Sequence, residues 1–462
     1  MKLKNLICLL LLPIVLNTAT ACSSQTNIEE STVSGGKANL KIYYIPDDKN
    51  MGGIFAGADI TRARTKYMEK NKDKVTLDLK EFTIDQWEEY NNKITTELLA
   101  GEGPDIIVVN NYTFPNITKV MSTNVFCDLN ELIKDDKEFK LTDYNEKVLE
   151  AGVYNGKRFF IPACYNIPTF YTTNEILEKN NIQIDENNWT WGSLAKIARD
   201  FKIRKNNISK TLFKDLNFAN IIASTGDYFF DLKDKKSRFD SKEFINLLND
   251  YKDIYSVTSK DFNYYDEDCV FSSAYSESPP RLQNLNAINN YYHKNDSSLK
   301  LYPFPSIDGK SGAVAIPQYS FAINSNCKNK KEAFNLLKML ISPYIQAYSD
   351  DADGCHIYNE LPNNIQALNN NLMQYEGPQL LGTFQYIDKS GATINIPNIP
   401  LPQDLSKNLK TLIDGVDKCR EYDDEIYSIV FREVEKNFIN GKSTAEQAAK
   451  MINDKVNLYL NE

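Results

Sequence analysis

Asn110, Asn111 and Tyr112 stand together directly after an apolar run, Ile106 to Val109. Two amides and a phenol offer donors, acceptors and a flat apolar ring, side-chain types that hold sugars or peptides without breaking bonds. Amides at a strand end also cap the next turn, so a structural role competes with ligand contact. Tyr228, after Ser224-Thr225-Gly226-Asp227, is a further candidate stacking ring. Asp47 and Asp48 follow the first apolar segment, where acids usually serve the backbone of a turn. Asp105 reads as a local cap, and Trp191 as a helix-packing residue.

Other chemistry is poorly supplied. Only two His, His293 and His356, occur in 462 residues, which leaves little for His-based metal sites or Ser-His-Asp arrangements. Cys127, Cys164, Cys269, Cys327, Cys355 and Cys419 are widely spaced, without Cys-x-x-Cys, so no zinc site is expected. No G-x-G-x-x-G or phosphate loop occurs, and no cofactor is expected. Acids are plentiful, so counting does not exclude a carboxylate pair. The net charge of −9, with both signs mixed along the chain, argues against nucleic acid as a main partner. The 27 Tyr and 23 Phe, against three Trp, supply both core and exposed rings.

The elements that position Asn110 to Tyr112 are legible. Trp87, Tyr90, Ile94 and Leu98 recur at helical spacing, and Gly101, Gly103 and Pro104 stop that helix. Ile106 to Val109 is apolar on both faces, as in a strand covered by helices on both sides. Upstream, Leu40 to Ile45 reads as a strand, Ile60 to Met68 as a helix, and Val75, Leu77 and Leu79 as a second strand. This β-α-β-α-β series predicts a parallel sheet whose strand ends form a binding edge. Thr190 is placed to cap a helix buried through Leu194, Ile197, Ala198 and Phe201. Asn329 with Glu332, and Ser443 with Glu446, have capping spacing at two later helix starts. Residues 370–415, rich in Asn, Gln, Gly and Pro, read as loop-heavy.

The first residues read as an address. Lys2 and Lys4 precede an apolar stretch, Leu6 to Leu16, that is shorter than the roughly 20 residues of a membrane span. Ala19-Thr20-Ala21-Cys22 resembles a bacterial lipoprotein signal, with Ala19 in place of the usual Leu. Residues 1–21 are then a signal peptide and Cys22 the lipidated thiol, carrying a fatty acyl group such as palmitate. Residues 22–37 form a flexible Ser/Thr/Glu/Gly-rich tether. The competing reading is an ordinary secretory signal with an incidental Cys22.

Further motifs follow in order: Asn155-Gly156-Lys157, Phe159 to Pro162, Tyr171-Thr172-Thr173-Asn174-Glu175-Ile176-Leu177 and Thr190-Trp191. After them come Phe271 to Tyr275, Pro303-Phe304-Pro305, Tyr319 to Asn324, Lys331 to Gln346 and Leu361-Pro362. With Gly101 to Asp105, this series resembles the bacterial extracellular solute-binding proteins of family 1, the maltose-binding-like receptors of ABC importers. The resemblance covers nearly all of residues 38–462.

It implies an α/β fold of two lobes, with parallel-rich sheets flanked by helices, hinged by two or three crossing segments. Crossings are expected near 163–168 and 314–319, with a third after about 365. Lobe 1 is then 38–163 plus about 317–367, and lobe 2 is 164–316 plus about 368–462. The expected ligand-binding set is Asn110, Asn111, Tyr112, Tyr165, Asn166, Tyr228, Tyr275, Glu277 and Tyr319, with no catalytic and no metal-binding residue. The implied function is a monomeric receptor at the outer face of the bacterial cytoplasmic membrane. It would deliver a sugar or oligosaccharide to an ABC permease. A secreted glycoside hydrolase, and a ligand-sensing or peptide-binding lipoprotein, are the rival readings.

Overall fold

A computed structural model describes residues 36–46, 56–204, 211–214, 216–259, 269–274, 278–293, 299–310, 312–347, 360–378, 382–387, 391–419 and 423–462. Cys22, Asp47, Asp48, Tyr275 and Glu277 lie outside the described residues.

Twelve strands build the two main sheets among the described residues. In chain order they are β1 (Ala38–Tyr44), β2 (Val75–Glu81), β3 (Ile106–Val109), β4 (Phe160–Asn166), β5 (Thr169–Thr173) and β6 (Thr211–Lys214). They continue with β7 (Thr258–Ser259), β8 (Cys269–Ala274), β9 (Leu299–Pro303), β10 (Ala313–Ile323), β11 (Leu361–Pro362) and β12 (Val416–Cys419). The first sheet has the order β11-β4-β10-β3-β1-β2, with β12 beside β10. The second has the order β7-β6-β8-β5-β9.

The β-α-β-α-β reading of the first segment holds. β1 pairs in parallel with both β2 and β3. Helix α1 (Gly57–Asn71) and helix α2 (Trp87–Leu99) make the crossovers, and a short helix α3 (Ile117–Met121) comes after β3. Tyr90, Ile94 and Leu98 form the buried stripe of α2, and Gly101 (φ 78°) and Gly103 (φ 98°) turn the chain through left-handed backbone after it. β3 is buried at all four residues.

Both sheets are mixed rather than purely parallel. β10 runs antiparallel to β3 and β4, and β5 runs antiparallel to β8 and β9. The reason lies in the crossings. β4 ends at Asn166, Ile167-Pro168 carries the chain over, and β5 begins the other sheet at Thr169. β10 then returns as one strand of 11 residues. A strand coming back beside its outgoing neighbour must be antiparallel to it.

Each sheet has its own core. The first buries Leu40, Ile60, Val108, Phe321 and Phe334 on one face. Tyr90, Ile107, Val109 and Phe160 are buried on the other. The second sheet packs a ring cluster in which Phe213 stacks on Phe271 at 5.6 Å and Phe170 on Phe304 at 4.5 Å. Offset pairs of this kind contribute about 0.5–1.5 kcal/mol beyond area burial. Helix α4 (Trp191–Ile203) closes that core with Trp191, Leu194, Ala198 and Phe201, and Thr190 caps it as expected, accepting from the Ser193 amide at 3.1 Å. The same core takes in helices α5 (Phe218–Ala223) and α6 (Lys242–Tyr255), and the carboxyl-terminal helices over Asp424–Glu433 and Ala445–Asn461.

Three sequence expectations are corrected. Residues 370–415 are not loop-heavy. They contain most of a helix over Ile365–Glu376, a hairpin of Thr383–Ile387 with Thr393–Pro397, and a helix over Gln403–Asp414. Leu405, Leu409, Leu412 and Ile413 give that last helix a buried stripe at helical spacing, which the polar composition concealed. The capping box near the carboxyl end is Thr444 with Gln447, one residue later than Ser443 with Glu446. Asn329 precedes its helix without a side-chain cap, and its amide instead donates to the Asn39 carbonyl at 3.3 Å.

A candidate ligand cavity between the sheets

The strand ends of the first sheet meet helices of the second core around a cavity of about 550 Å³. Asn111, past the end of β3, and Asn166, the last residue of β4, line one side. Ile316, Pro317 and Gln318 of β10 form the floor. Opposite lie Ala219 and Ala223 of α5, and a face of α7 (Asp424–Glu433) made by Asp424, Tyr427, Ser428 and Phe431. Those four recur at i, i+3, i+4 and i+7, so one helix side presents all of them.

The floor is shaped by an irregularity in the β10–β4 ladder. Pro317 pairs with Tyr165 and Tyr319 with Cys164, which leaves Gln318 without a partner residue. A bulge of this kind redirects one side chain and is common beside binding sites. Pro317 cannot donate to the ladder, and it is tolerated here because the ladder is already interrupted beside it.

Asn166 carries the strongest chemical signal. It is only 5% exposed, yet its Oδ1 has no hydrogen-bond partner in the protein. An unmet buried acceptor costs roughly 1–3 kcal/mol, a penalty that a ligand hydroxyl would remove. Asn111 and Gln318 add further amides, Ser428 a hydroxyl, and Phe431 a half-buried ring. Tyr427 is largely buried, and its hydroxyl donates to the Gly226 carbonyl at 3.0 Å, which fixes the ring against the Ser224–Asp227 turn. Asp424 is the one carboxylate among the described lining residues.

The expected site residues divide. Asn111 and Asn166 line this cavity together. Asn110 is spent on its own turn: its Oδ1 accepts from Thr113 N–H at 2.9 Å and its carbonyl from Phe114 N–H at 2.9 Å. Tyr112 is 48% exposed and stands outside the lining. Tyr165 is buried in a core that joins the hinge strands to the Gln403–Asp414 helix. Tyr319 is buried in the first core, and its hydroxyl donates to Asp59 Oδ2 at 2.6 Å.

Tyr228 lines a different, larger groove of about 1230 Å³, between the Val153–Gly156 turn and residues 227–238. Its ring lies 5.6 Å from both the Arg238 guanidinium and the Lys418 ammonium. That groove is bigger, but it exposes the charged side chains of Asp227, Asp231, Lys233, Asp234, Lys236 and Arg238. The smaller cavity is the better candidate because strand ends converge on it with a buried amide.

Sequence reasoning missed Gln318, Asp424, Tyr427, Ser428 and Phe431. The α7 set was detectable as a polar and aromatic stripe at helical spacing. Gln318 gave no signal, because a bulge depends on pairing between segments far apart in the chain.

A two-sheet fold with a cavity at the crossing strands suits a receptor that holds a small guest. The family model for bacterial extracellular solute-binding proteins matches residues 57–347. The chain belongs to that family. Solved structures of similar fold include the sugar-binding protein MalE from Xanthomonas citri, at 14% identity and TM-score 0.63, over 92% of this chain and 98% of that one. Another is the cyclic alpha-maltosyl-1,6-maltose binding protein from Arthrobacter globiformis, at 14% identity and TM-score 0.59, over 92% and 99%. A third is an ABC substrate-binding protein from Listeria monocytogenes in complex with cycloalternan, at 14% identity and TM-score 0.57, over 92% and 100%. At such identity the likeness shows the two-lobed fold of this solute-binding protein and not its guest.

Proposed function

We propose that this solute-binding protein captures a neutral sugar or short oligosaccharide in the Asn111–Asn166 cavity and presents it to an ABC importer. The buried, unpartnered Asn166 Oδ1 carries the reading, because it needs a donor and water-rich hydroxyl ligands supply one. Amides from Asn111 and Gln318 and the Phe431 ring match the alternating polar edges and apolar faces of a pyranose. The carbohydrate ligands named for the similar structures point the same way.

The closing bodies are residues 38–163 with about 317–367, and 164–316 with about 368–462. A guest favours the closed form only by touching both. Cys22 serves as the lipid attachment and residues 22–37 as a leash, holding the receptor at the outer face of the cytoplasmic membrane as a monomer. Among the described lining residues Asp424 is a single acid, whereas glycoside hydrolysis generally uses two carboxyl groups facing one bond. This favours binding over cleavage.

Isothermal titration with maltose, maltotriose and a panel of other neutral sugars tests the reading. Binding of one of them, weakened in Asn166→Ala, supports it. Absence of heat with every sugar, or release of cleaved products, overturns it.

A further inference from the structure

Two segments from different cores touch beside the cavity. Pro115 and Asn116 follow β3 and lead into a short helix, Ile117–Met121, whose Ile117 and Met121 sit in the first sheet's core. Asp423 and Asp424 begin α7, whose Ile426, Tyr427 and Val430 sit in the second core. The Asp424 N–H donates to the Pro115 carbonyl at 2.8 Å, and Asn116 and Asp423 form an isolated antiparallel bridge. Next to it the Lys119 ammonium lies 3.9 Å from the centre of the Tyr459 ring, on the carboxyl-terminal helix Ala445–Asn461.

Asp423 is at the centre of this contact. It is only 1% exposed, although it is an acid beside a surface cleft. Its Oδ1 faces the Ile426 N–H at 3.5 Å as the helix cap, and its Oδ2 closes no hydrogen bond. The Tyr459 hydroxyl, also buried, closes none either, though the two groups face one another. The charged groups around Asp423 are Lys119 from the opposite body, and Asp424 on its own helix. Glu425 and Glu462 add negative charge around Tyr459.

We infer that Asp423, Tyr459 and Lys119 form a proton-sensitive clasp that holds the two lobes together, so that mild acid favours the closed receptor. This rests on the two-lobe closure reading and adds a regulator to it. Opening the cleft would carry Asn116 and Lys119 away and return water to the Asp423 carboxyl. In the contact, burial pushes that carboxyl up to about 6, against the pull of Tyr459, the Ile426 N–H and Lys119. In the open form it returns towards the ordinary Asp value of about 3.9.

The sign follows from proton linkage. A group whose value is higher in the closed form binds its proton more tightly there. Closure is therefore strengthened as pH falls through about 6 and weakened as pH rises above it. Between pH 7.5 and 5.5 the closure equilibrium constant should rise about fourfold.

Small-angle X-ray scattering of the full chain without ligand tests the clasp independently of any guest. The radius of gyration should fall between pH 7.5 and 5.5, with its onset near the Asp423 value. Asp423→Asn should stay compact and lose the pH dependence. Lys119→Met, which removes the cation stabilising the carboxylate, should move the onset to higher pH, and it serves if the first variant does not fold. An unchanging radius in the wild type, an unaltered pH profile in Asp423→Asn, or an unmoved onset in Lys119→Met overturns the clasp. None of these outcomes depends on whether the guest is a sugar.

Discussion

The Tyr319 hydroxyl donates to Asp59 Oδ2 at 2.6 Å, joining residues 260 positions apart inside the first core. Asp59 is 2% exposed and Tyr319 also 2%, so this is a buried charged hydrogen bond between β10 and the first turn of α1. Burial, with Asp59 as the largest charge nearby, raises the phenol well above its ordinary value. The phenol therefore stays a neutral donor throughout the working pH range. It ties the hinge strand to the body of the first lobe.

Tyr319→Phe should therefore cost stability and not affinity. Removing a donor from a buried carboxylate costs roughly 1–3 kcal/mol. Urea unfolding at pH 7 should show that loss, while sugar binding by calorimetry stays within about twofold of wild type. A large fall in affinity with unchanged unfolding would place Tyr319 in the ligand site instead.

Asn166→Ala should show the opposite pattern. The Asn166 Oδ1 makes no hydrogen bond within the protein, so its removal breaks none and should not lower stability by more than about 1 kcal/mol. Affinity for the guest should fall about 10- to 100-fold, the value of one buried hydrogen bond to a ligand hydroxyl. Paired melting and titration experiments separate the two effects.

Gly152→Ala tests the packing that sets the start of β4. A Cβ there would lie 1.9 Å from the Phe160 carbonyl oxygen, a backbone atom that cannot swing aside. The Phe159 N–H also donates to the Gly152 carbonyl at 2.8 Å, so moving the turn breaks that bond. Overpacking of this kind costs typically 1–3 kcal/mol or more. A lowered urea midpoint is expected, and an unchanged midpoint would mean that this turn can shift without cost.

The sequence was most legible where structure is local. Tyr90, Ile94 and Leu98 declared α2, the all-apolar Ile106 to Val109 declared β3, and Thr190 declared the α4 cap. Ordered motifs spread along the chain identified the two-lobed family. The helix over Gln403–Asp414 was missed because its Leu405, Leu409 and Leu412 stripe is embedded in polar residues.

The cavity was half legible. Asn111 could be named because it follows the end of β3, and Asn166 because it stands at the first expected crossing. Gln318 depends on a bulge in a pairing between β10 and β4, and such a register shift leaves no trace in either segment alone. Tyr165 and Tyr319 look like site residues in sequence, but the hinge strands turn those rings into the cores.

The central claim is that a neutral sugar bridges the two lobes at the Asn166 cavity. A thermal-shift titration of wild type and Asn166→Ala against a neutral sugar panel tests it most directly. A ligand at 100 times its Kd adds about 2.7 kcal/mol of stability. The account predicts that at least one sugar raises the wild-type Tm by several degrees and that the rise is largely lost in Asn166→Ala. A panel in which no sugar raises the Tm, or in which the variant responds as strongly as wild type, would contradict it.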